Sequence, residues 1–197
     1  MSNSIPVRSN HALLVVDVQN DFCPGGALGV KHGDAIIPAI NRIIPLFDHV
    51  VLSRDWHPTD HCSFADKPRF VDKSWPAHCV AGTPGAAFHP DLDIPDGAEI
   101  IDKAVHSDRE AYSGFQGTHL KEWLRERHID LIYICGLATD YCVRFTVLDA
   151  LNAGFRARVI ADAIQGIDVP EGSVRQAIDS MIHAGAELVE SSHMVRA

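Results

Sequence analysis

The chain has 197 residues, of which 46% are hydrophobic and 22% charged, a composition typical of a globular protein with one sizeable core. Its net charge of −9 disfavours nucleic acid and anionic membranes as partners, because both bind basic surfaces. No stretch approaches the roughly 20 apolar residues of a membrane span, so we expect no membrane partner.

The cysteines and the N-terminus predict a cytoplasmic protein. Five cysteines are an odd number, and they stand at irregular spacings in a chain too long to need disulfide stapling. Residues 1–19 contain only the short apolar run ALLVV and lack the charged, apolar and small-residue regions of a signal peptide.

Apolar runs alternate with amphipathic stretches along the chain, which predicts strands alternating with helices. We predict six strands, at residues 12–18, 49–55, 99–105, 130–138, 156–164 and 186–192. Helices are predicted at 33–47, 117–128, 139–152 and 171–184. This order indicates an α/β fold, with a single domain over residues 1–197 and a six-stranded, mainly parallel sheet covered by helices on both faces.

The segment 56–98 is too long for an ordinary connection and is rich in Pro, Gly, His and Asp. Such loops in compact domains are usually functional. The alternative is a linker, but five aromatic residues argue against disorder, namely Trp56, Phe64, Phe70, Trp75 and Phe88.

Polar residues stand at the ends of four predicted strands. Asp17 and Asp55 end the first and second strands. Lys103 lies near the end of the third, and Cys142 follows the fourth. Ligands of open α/β sheets bind outside the carboxyl ends of the strands. We therefore expect a carboxylate, a cation and a thiol to meet at one edge of the sheet.

Cys142 is a candidate nucleophile because it lies in the first turn of a predicted helix. With Thr139 as the N-cap, the free backbone amides and the helix dipole would lower the pKa of the thiol and could hold an oxyanion. The alternative is a small buried residue, as most free cysteines are. Asp17 and Lys103 at neighbouring strand ends favour catalysis, whereas Cys135, inside the strand, is expected to be core.

Asp17 is a candidate general base for the thiol, and Lys103 beside it would help to set the protonation of the thiol and of a leaving amine. The alternatives are a turn-forming aspartate and a solvated edge lysine. The charge within the otherwise apolar run IIDKAV favours burial of Lys103 beside Asp17.

The long segment also supplies candidate metal ligands. Asp55 and His57 face the same way in an extended chain, and His61 and His78 follow. Aspartate with imidazoles suits Zn, Fe or Mn, and three protein ligands leave positions for water or substrate. The alternatives are hydrogen-bonded loop histidines or a closed structural zinc site, with ligands drawn from His57 or His61, Cys62, His78 and Cys79.

Five motifs resemble, in the same order, those of nicotinamidases in the isochorismatase-like cysteine hydrolase family: LLVVDVQNDF, SRDWHPTDHCSF, WPAHCVAGTPGAAFHPDL, DKAVHSDREAYSGF and ICGLATDYCV. The similarity covers nearly the whole chain, and the combination is highly specific although no single motif would be. It implies the Rossmann-like, three-layer architecture of that family.

By this resemblance the catalytic triad is Asp17, Lys103 and Cys142, in agreement with the strand-end argument. The resemblance also implies a cis peptide before Ala138, which would turn the N–H of Ala138, with that of Cys142, toward the oxyanion.

The resemblance assigns the metal and the substrate ring to the long loop and its surroundings. The implied metal ligands are Asp55, His57 and His78. His61 either borders the site or serves as a further ligand, because the spacing in this loop varies among relatives. The aromatic positions that line the ring pocket match Phe22, Trp75 and Tyr112.

The implied activity is hydrolysis of nicotinamide to nicotinate and ammonia in NAD salvage, with pyrazinamide as a further substrate. Cys142 would form a thioester, and one divalent transition metal ion would hold the pyridine nitrogen. The alternatives are a related hydrolase of another small amide, such as a carbamoyl or ureido compound, and a non-catalytic metal- or ligand-binding protein on the same fold. The identity of the metal and a homo-oligomeric state are left open.

Overall fold

The computed structural model describes residues 4–71 and 73–197. The strands are β1 (Ile5–Val7), β2 (His11–Val16), β3 (His49–Asp55), β4 (Glu99–Lys103), β5 (Leu131–Leu137), β6 (Arg156–Gln165), β7 (Glu187–Val189) and β8 (Met194–Arg196). The helices are α1 (Ile37–Ile43), α2 (Leu120–Glu126), α3 (Arg144–Asn152) and α4 (Ser173–His183). A π-helical turn, Thr139–Val143, leads from β5 into α3.

Six strands form one parallel sheet in the order β4-β3-β2-β5-β6-β7. This confirms the predicted α/β fold and its six strands, although β7 is shorter than the predicted segment 186–192. The central strands β2 and β5 approach closely at Gly136, where a Cβ would lie 2.0 Å from the carbonyl oxygen of Val16. Only glycine fits this contact, which brings the ends of the two strands together.

Helices cover both faces of the sheet, as the apolar strands predict. Every residue of β2 is buried, and its alternate side chains enter two different cores. Leu13 and Val15 pack in the core that contains Ile40 of α1. Leu14 and Val16 pack in the core that contains residues of α2, α3 and α4.

Two features differ from the sequence prediction. The predicted helix 33–47 is α-helical only over α1, because the 3-10 turns Gly33–Ile36 and Ile44–Leu46 flank it and the second contains Pro45, which lacks a backbone donor. β1 and β8 pair in parallel as a separate two-stranded sheet, and their three-residue length gave no periodic signal. Within the described residues, no helix has both the length and the apolar character needed to cross a membrane.

Candidate active site

The residues at the ends of β2 and β4 meet Cys142 from the turn that follows β5, as the strand-end argument predicts. The ammonium of Lys103 lies 2.9 Å from Oδ2 of Asp17 and 3.5 Å from Sγ of Cys142. The exposed fractions of Asp17, Lys103 and Cys142 are 0%, 1% and 6%, so the three groups interact with almost no solvent between them. A carboxylate, a cation and a thiol therefore form one buried cluster.

Asp17 is held in place by its own backbone and by β3. It follows directly after β2 with a φ of 50°, which turns the chain away from the sheet. Its backbone N–H donates to the carbonyl of Ser53, and the Ser53 hydroxyl donates to Oδ1 at 2.7 Å. The second carboxylate oxygen is left to face Lys103. Burial raises the pKa of Asp17, while Lys103 opposes the rise, which makes this carboxylate a stronger base than an exposed one.

The turn that carries Cys142 differs from the predicted helix start. Residues 139–143 are π-helical, and the backbone carbonyl of Ala138 accepts hydrogen bonds from the N–H groups of Tyr141 and Val143. The predicted N-cap bond from Thr139 is wrong, because its buried hydroxyl has no hydrogen-bond partner among the described residues. The cis peptide between Leu137 and Ala138, expected from the resemblance, is present.

The predicted lowering of the thiol pKa is also wrong for this structure. Burial raises the pKa of Cys142 well above the ordinary value, and Lys103 only partly opposes this effect. The carboxylates of Asp17 and Asp55 raise it further. The free energy lost when a thiolate is removed from water exceeds the free energy gained from its attraction to the nearby cation. Cys142 is therefore a neutral thiol at rest and needs a base at the moment of attack.

Lys103 links the triad to a second group of polar side chains. Its ammonium donates to the carboxylate of Asp55 and to the carbonyl of Ala111 at 3.2 Å. Burial alone would lower the pKa of Lys103, but Asp17 and Asp55 raise it well above the ordinary value. Lys103 is therefore a permanent cation that touches both carboxylates and the thiol.

Asp55, His57 and His78 form a candidate metal centre. Each offers one ligand atom, and these atoms lie within 4.8 Å of one another. Nδ1 of His57 lies 3.2 Å from the carbonyl of Ala104, and Nδ1 of His78 lies 2.8 Å from that of Pro76. Donation from Nδ1 to a carbonyl leaves Nε2 as the lone-pair nitrogen, the usual arrangement of a metal-binding histidine.

The surroundings of these imidazoles also fit a cation. Burial opposes a charge on His57, but Asp55 raises the pKa of this ring above its usual value, so the position beside Asp55 favours a positive charge. The buried Nε2 of His57 has no hydrogen-bond partner within the described ranges 4–71 and 73–197, although it faces Oδ2 of Asp55 at 3.5 Å. Burial lowers the pKa of His78 to about 4, so this ring is neutral and able to bind a metal ion near neutral pH. An orphaned nitrogen beside a carboxylate is the environment that a divalent ion would complete.

His61 lies beside this cluster with both nitrogens already engaged. Nδ1 is 2.7 Å from the Ser63 hydroxyl, and Nε2 is 3.1 Å from the carbonyl of Arg109. Its ring centroid is 4.1 Å from that of His57. The geometry therefore gives His61 a packing position against a candidate ligand.

The closed Cys/His site gains no support. Cys62 is exposed and Cys79 is buried, and neither belongs to a cluster of candidate ligand atoms in the part of the chain that the structure describes. The backbone N–H of Cys79 instead donates to Oδ2 of Asp21 at 2.7 Å, which fixes the residue after His78.

Comparisons with known proteins identify the family of the chain. A family model described as the isochorismatase domain matches residues 11–193. The chain belongs to the isochorismatase family. A relative named nicotinamidase, from Acinetobacter baylyi, is 42% identical over 95% of each chain.

Two solved structures superpose closely on this chain. A pyrazinamidase of Pyrococcus horikoshii in complex with zinc is 46% identical, with a TM-score of 0.84 over 92% of this chain and 99% of that one. The protein PnC1 from L. infantum, in complex with nicotinate, is 32% identical, with a TM-score of 0.89 over 98% and 100%.

This isochorismatase-family protein has a small cavity between the triad and the candidate metal centre. Its lining includes the predicted Phe22, Trp75 and Tyr112, together with His78, Ala138 and Cys142. The indole N–H of Trp75 donates to the Tyr112 hydroxyl at 3.1 Å. The enclosed space is about 30 Å³, so a ring-sized ligand enters only if the aromatic side chains shift outward.

Sequence reasoning missed four residues of this region. Tyr141 and Glu110 line the cavity, Ser53 bonds to Asp17, and Gln19 bonds to the backbone of Asp55. Ser53 could have been found from the alternation of β3, because residues two apart point to the same face. Tyr141 lies in the π-helical turn, and the positions of Glu110 and Gln19 depend on loop conformations that carry no periodic signal.

Proposed function

We propose that the chain hydrolyses nicotinamide to nicotinate and ammonia through a thioester on Cys142. The observation that carries the proposal is that Cys142, whose thiol contacts Lys103 of the triad, lines one aromatic-walled cavity together with Asp55 and His78 of the candidate metal centre. The names of the relatives, nicotinamidase and pyrazinamidase, and the nicotinate in one solved structure support the same substrate class.

The first half-reaction moves one proton through Asp17. Asp17 takes the thiol proton as Sγ of Cys142 attacks the amide carbon, and the backbone N–H groups of Ala138 and Cys142 hold the oxyanion. Protonated Asp17 then gives that proton to the amide nitrogen, and ammonia leaves as the carbon–nitrogen bond breaks. Lys103 remains charged throughout and stabilises the ionised states of Asp17 and Cys142.

The second half-reaction uses the same base. Asp17 takes a proton from water as the water oxygen attacks the thioester carbon. The carbon–sulfur bond then breaks as protonated Asp17 returns its proton to the sulfur, which restores the thiol and the carboxylate, and nicotinic acid leaves and ionises to nicotinate. The phenyl and indole faces of Phe22 and Trp75, with Tyr112, hold the flat pyridine ring and exclude bulk water.

Asp55, His57 and His78 would hold one divalent ion, Zn, Fe or Mn, with the segment 56–98 as the metal-binding loop region of the single domain. The bound ion would supply a Lewis acid that anchors the pyridine nitrogen. The complex of the Pyrococcus horikoshii relative with zinc supports a metal of this class.

We also propose that the protein acts in NAD salvage in the cytoplasm. The five cysteines are all free, which suits a reducing compartment. Nicotinamide is a small uncharged substrate, and the acidic composition gives no reason to add nucleic acid or a membrane as a partner.

The test is ammonia release from a panel of small amides by metal-loaded protein. Nicotinamide and pyrazinamide should be hydrolysed, whereas benzamide, which has the same ring size without a ring nitrogen, should react far more slowly. Release of ammonia only from a carbamoyl or ureido compound would replace the proposed substrate. No release from any amide would favour a binding protein.

Removal of the metal ion tests its proposed role in binding the pyridine nitrogen. Chelation should abolish nicotinamide hydrolysis and leave the far-ultraviolet circular dichroism unchanged, because both cores lie between the sheet and the helices. Activity should return when Zn, Fe or Mn is added. Full activity in chelated protein would contradict a role of the ion in substrate binding.

A further inference from the structure

β3 extends beyond its neighbour β2 at the edge of the sheet that carries the active site. The paired register of the two strands ends at Val16 and Ser53, and the backbone N–H of Asp17 makes the last bond, to the carbonyl of Ser53. The chain then turns away at Asp17. β3 continues to Asp55, which still pairs with Lys103 of β4 on its other side.

Asp55 therefore has backbone groups without a strand partner. Successive residues of a strand direct their N–H and C=O groups to opposite neighbours, so residues two apart face the same neighbour. Because the carbonyl of Ser53 faces β2, the N–H and C=O of Asp55 face the position that β2 has left. Buried backbone groups in such a position need another partner.

Gln19 supplies that partner with its side chain. Oε1 accepts a hydrogen bond from the N–H of Asp55 at 2.8 Å, and Nε2 donates to the C=O of Asp55 at 2.8 Å. The second hydrogen of Nε2 goes to the carbonyl of Ala86 at 2.9 Å. The side chain is completely buried, and it uses both of its N–H groups and its oxygen.

The primary amide thus stands where the next peptide group of β2 would have stood. This substitution lets the backbone turn at Asp17, so that its carboxylate reaches Lys103, while Asp55 stays in the sheet register. The carboxylate of Asp55 contacts Lys103 on one side and faces His57 on the other. A small rotation of the Asp55 backbone would disturb both contacts.

We propose that Gln19 is a positioning residue that fixes Asp55 as a metal ligand and as the partner of Lys103. Gln19 is not among the residues that line the cavity, and its side chain reaches the candidate ligand Asp55 through the Asp55 backbone. The inference rests on the proposed function, in that it takes Asp55 to bind the metal ion.

The test measures the zinc affinity of the full chain by competition with a chromophoric chelator. Gln19→Met keeps the length of the side chain but leaves three buried backbone groups without partners. The zinc dissociation constant should rise about 10- to 100-fold, the usual effect of removing a group that orients a ligand. Gln19→Asn keeps the amide but is one methylene shorter and cannot span Asp55 and Ala86, so it should weaken zinc binding in the same direction.

Two controls separate positioning from general damage. Asn20→Leu likewise replaces an amide by an apolar side chain of similar size, one residue later, where the amide donates to the carbonyl of Pro84 at an exposed position, and it should bind zinc like the wild type. Val159→Ala, in β6, removes buried apolar volume three strands away from β3 and matches a loss of thermal stability without touching Asp55.

Restoration of kcat by added zinc distinguishes positioning of Asp55 from a purely structural role of Gln19. If Gln19 only positions Asp55, saturating zinc should restore most of kcat in Gln19→Met. Wild-type zinc affinity in both Gln19 variants would overturn the inference, and so would an equal loss in Val159→Ala. Failure of the wild type itself to bind zinc or hydrolyse nicotinamide would instead contradict the proposed function. Failure of the inference about Gln19 and failure of the proposed function are therefore distinguishable.

Discussion

Replacement of Asp17 by asparagine tests the proposed chemistry most directly. The side chain keeps its size, and the amide can turn its oxygen to the Lys103 ammonium and donate its NH2 group to the Ser53 hydroxyl. Asparagine can neither accept the thiol proton nor return it to the leaving nitrogen. Lys103 retains its contacts with Asp55 and the carbonyl of Ala111, so we expect the fold to persist. The variant therefore removes the base and leaves the rest of the cluster.

The expected loss follows from the resting state of the thiol. Burial raises the pKa of Cys142, so almost none of it is thiolate at neutral pH without help from a base. General-base catalysis contributes about 10²- to 10⁴-fold, so kcat should fall by that factor, or about 2.7 to 5.4 kcal/mol of transition-state stabilisation. Alkylation of Cys142 near neutral pH should slow as well.

The assay is steady-state ammonia release, with alkylation of the Cys142 peptide followed by mass spectrometry. Asp102→Asn is the matched control, because Asp102 also lies at a strand end but pairs with Arg54 near the surface at 2.6 Å. It should lose at most about 1 kcal/mol of stability and no activity. A kcat of Asp17→Asn within tenfold of wild type, or unchanged alkylation, would assign thiol activation to Lys103 and the turn.

The pH dependence of kcat/KM has a predicted direction. Asp17 must be ionised to accept the thiol proton, and burial raises its pKa above the ordinary aspartate value. The acid limb of kcat/KM should therefore lie at a higher pH than an exposed aspartate would give, with activity lost as the pH falls through that limb. Activity that persists undiminished down to the ordinary aspartate range would contradict this assignment.

Three further predictions concern the cysteines and the metal. Cys142→Ala should abolish ammonia release, because a methyl group cannot form the thioester. Cys135→Ala, inside β5, should keep most of the activity. Turnover by Cys142→Ala would show that Cys142 is not the nucleophile. The alkylation rate of Cys142 should keep rising beyond about pH 9, because burial raises the pKa of the thiol; a plateau below about pH 8 would show the opposite shift. Joint replacement of Cys62 and Cys79 by alanine should leave near-stoichiometric metal by atomic emission, whereas His57→Ala should lose it; the reverse result would restore the closed zinc site.

The amino-acid sequence by itself determined the layers and the location of the chemistry. Apolar runs of strand length, alternating with amphipathic stretches, predict a parallel sheet without knowledge of any contact. Because parallel strands end at the same edge, the positions of Asp17, Lys103 and Cys142 just at or after strand ends bring them together. These statements need only local patterns and one rule of sheet geometry.

Only the tertiary structure decided the state of each group. The pKa of Cys142 depends on its burial beside Asp17 and Asp55, and the helix-terminus argument taken alone gives the wrong direction of the pKa shift. One ring nitrogen of His61 contacts the backbone of Arg109, and the Gln19 amide contacts the backbone of Asp55. Both contacts depend on loops whose sequences have no hydrophobic periodicity. Burial and hydrogen bonding are sums over neighbours that lie far apart in the chain, and a local pattern cannot contain them.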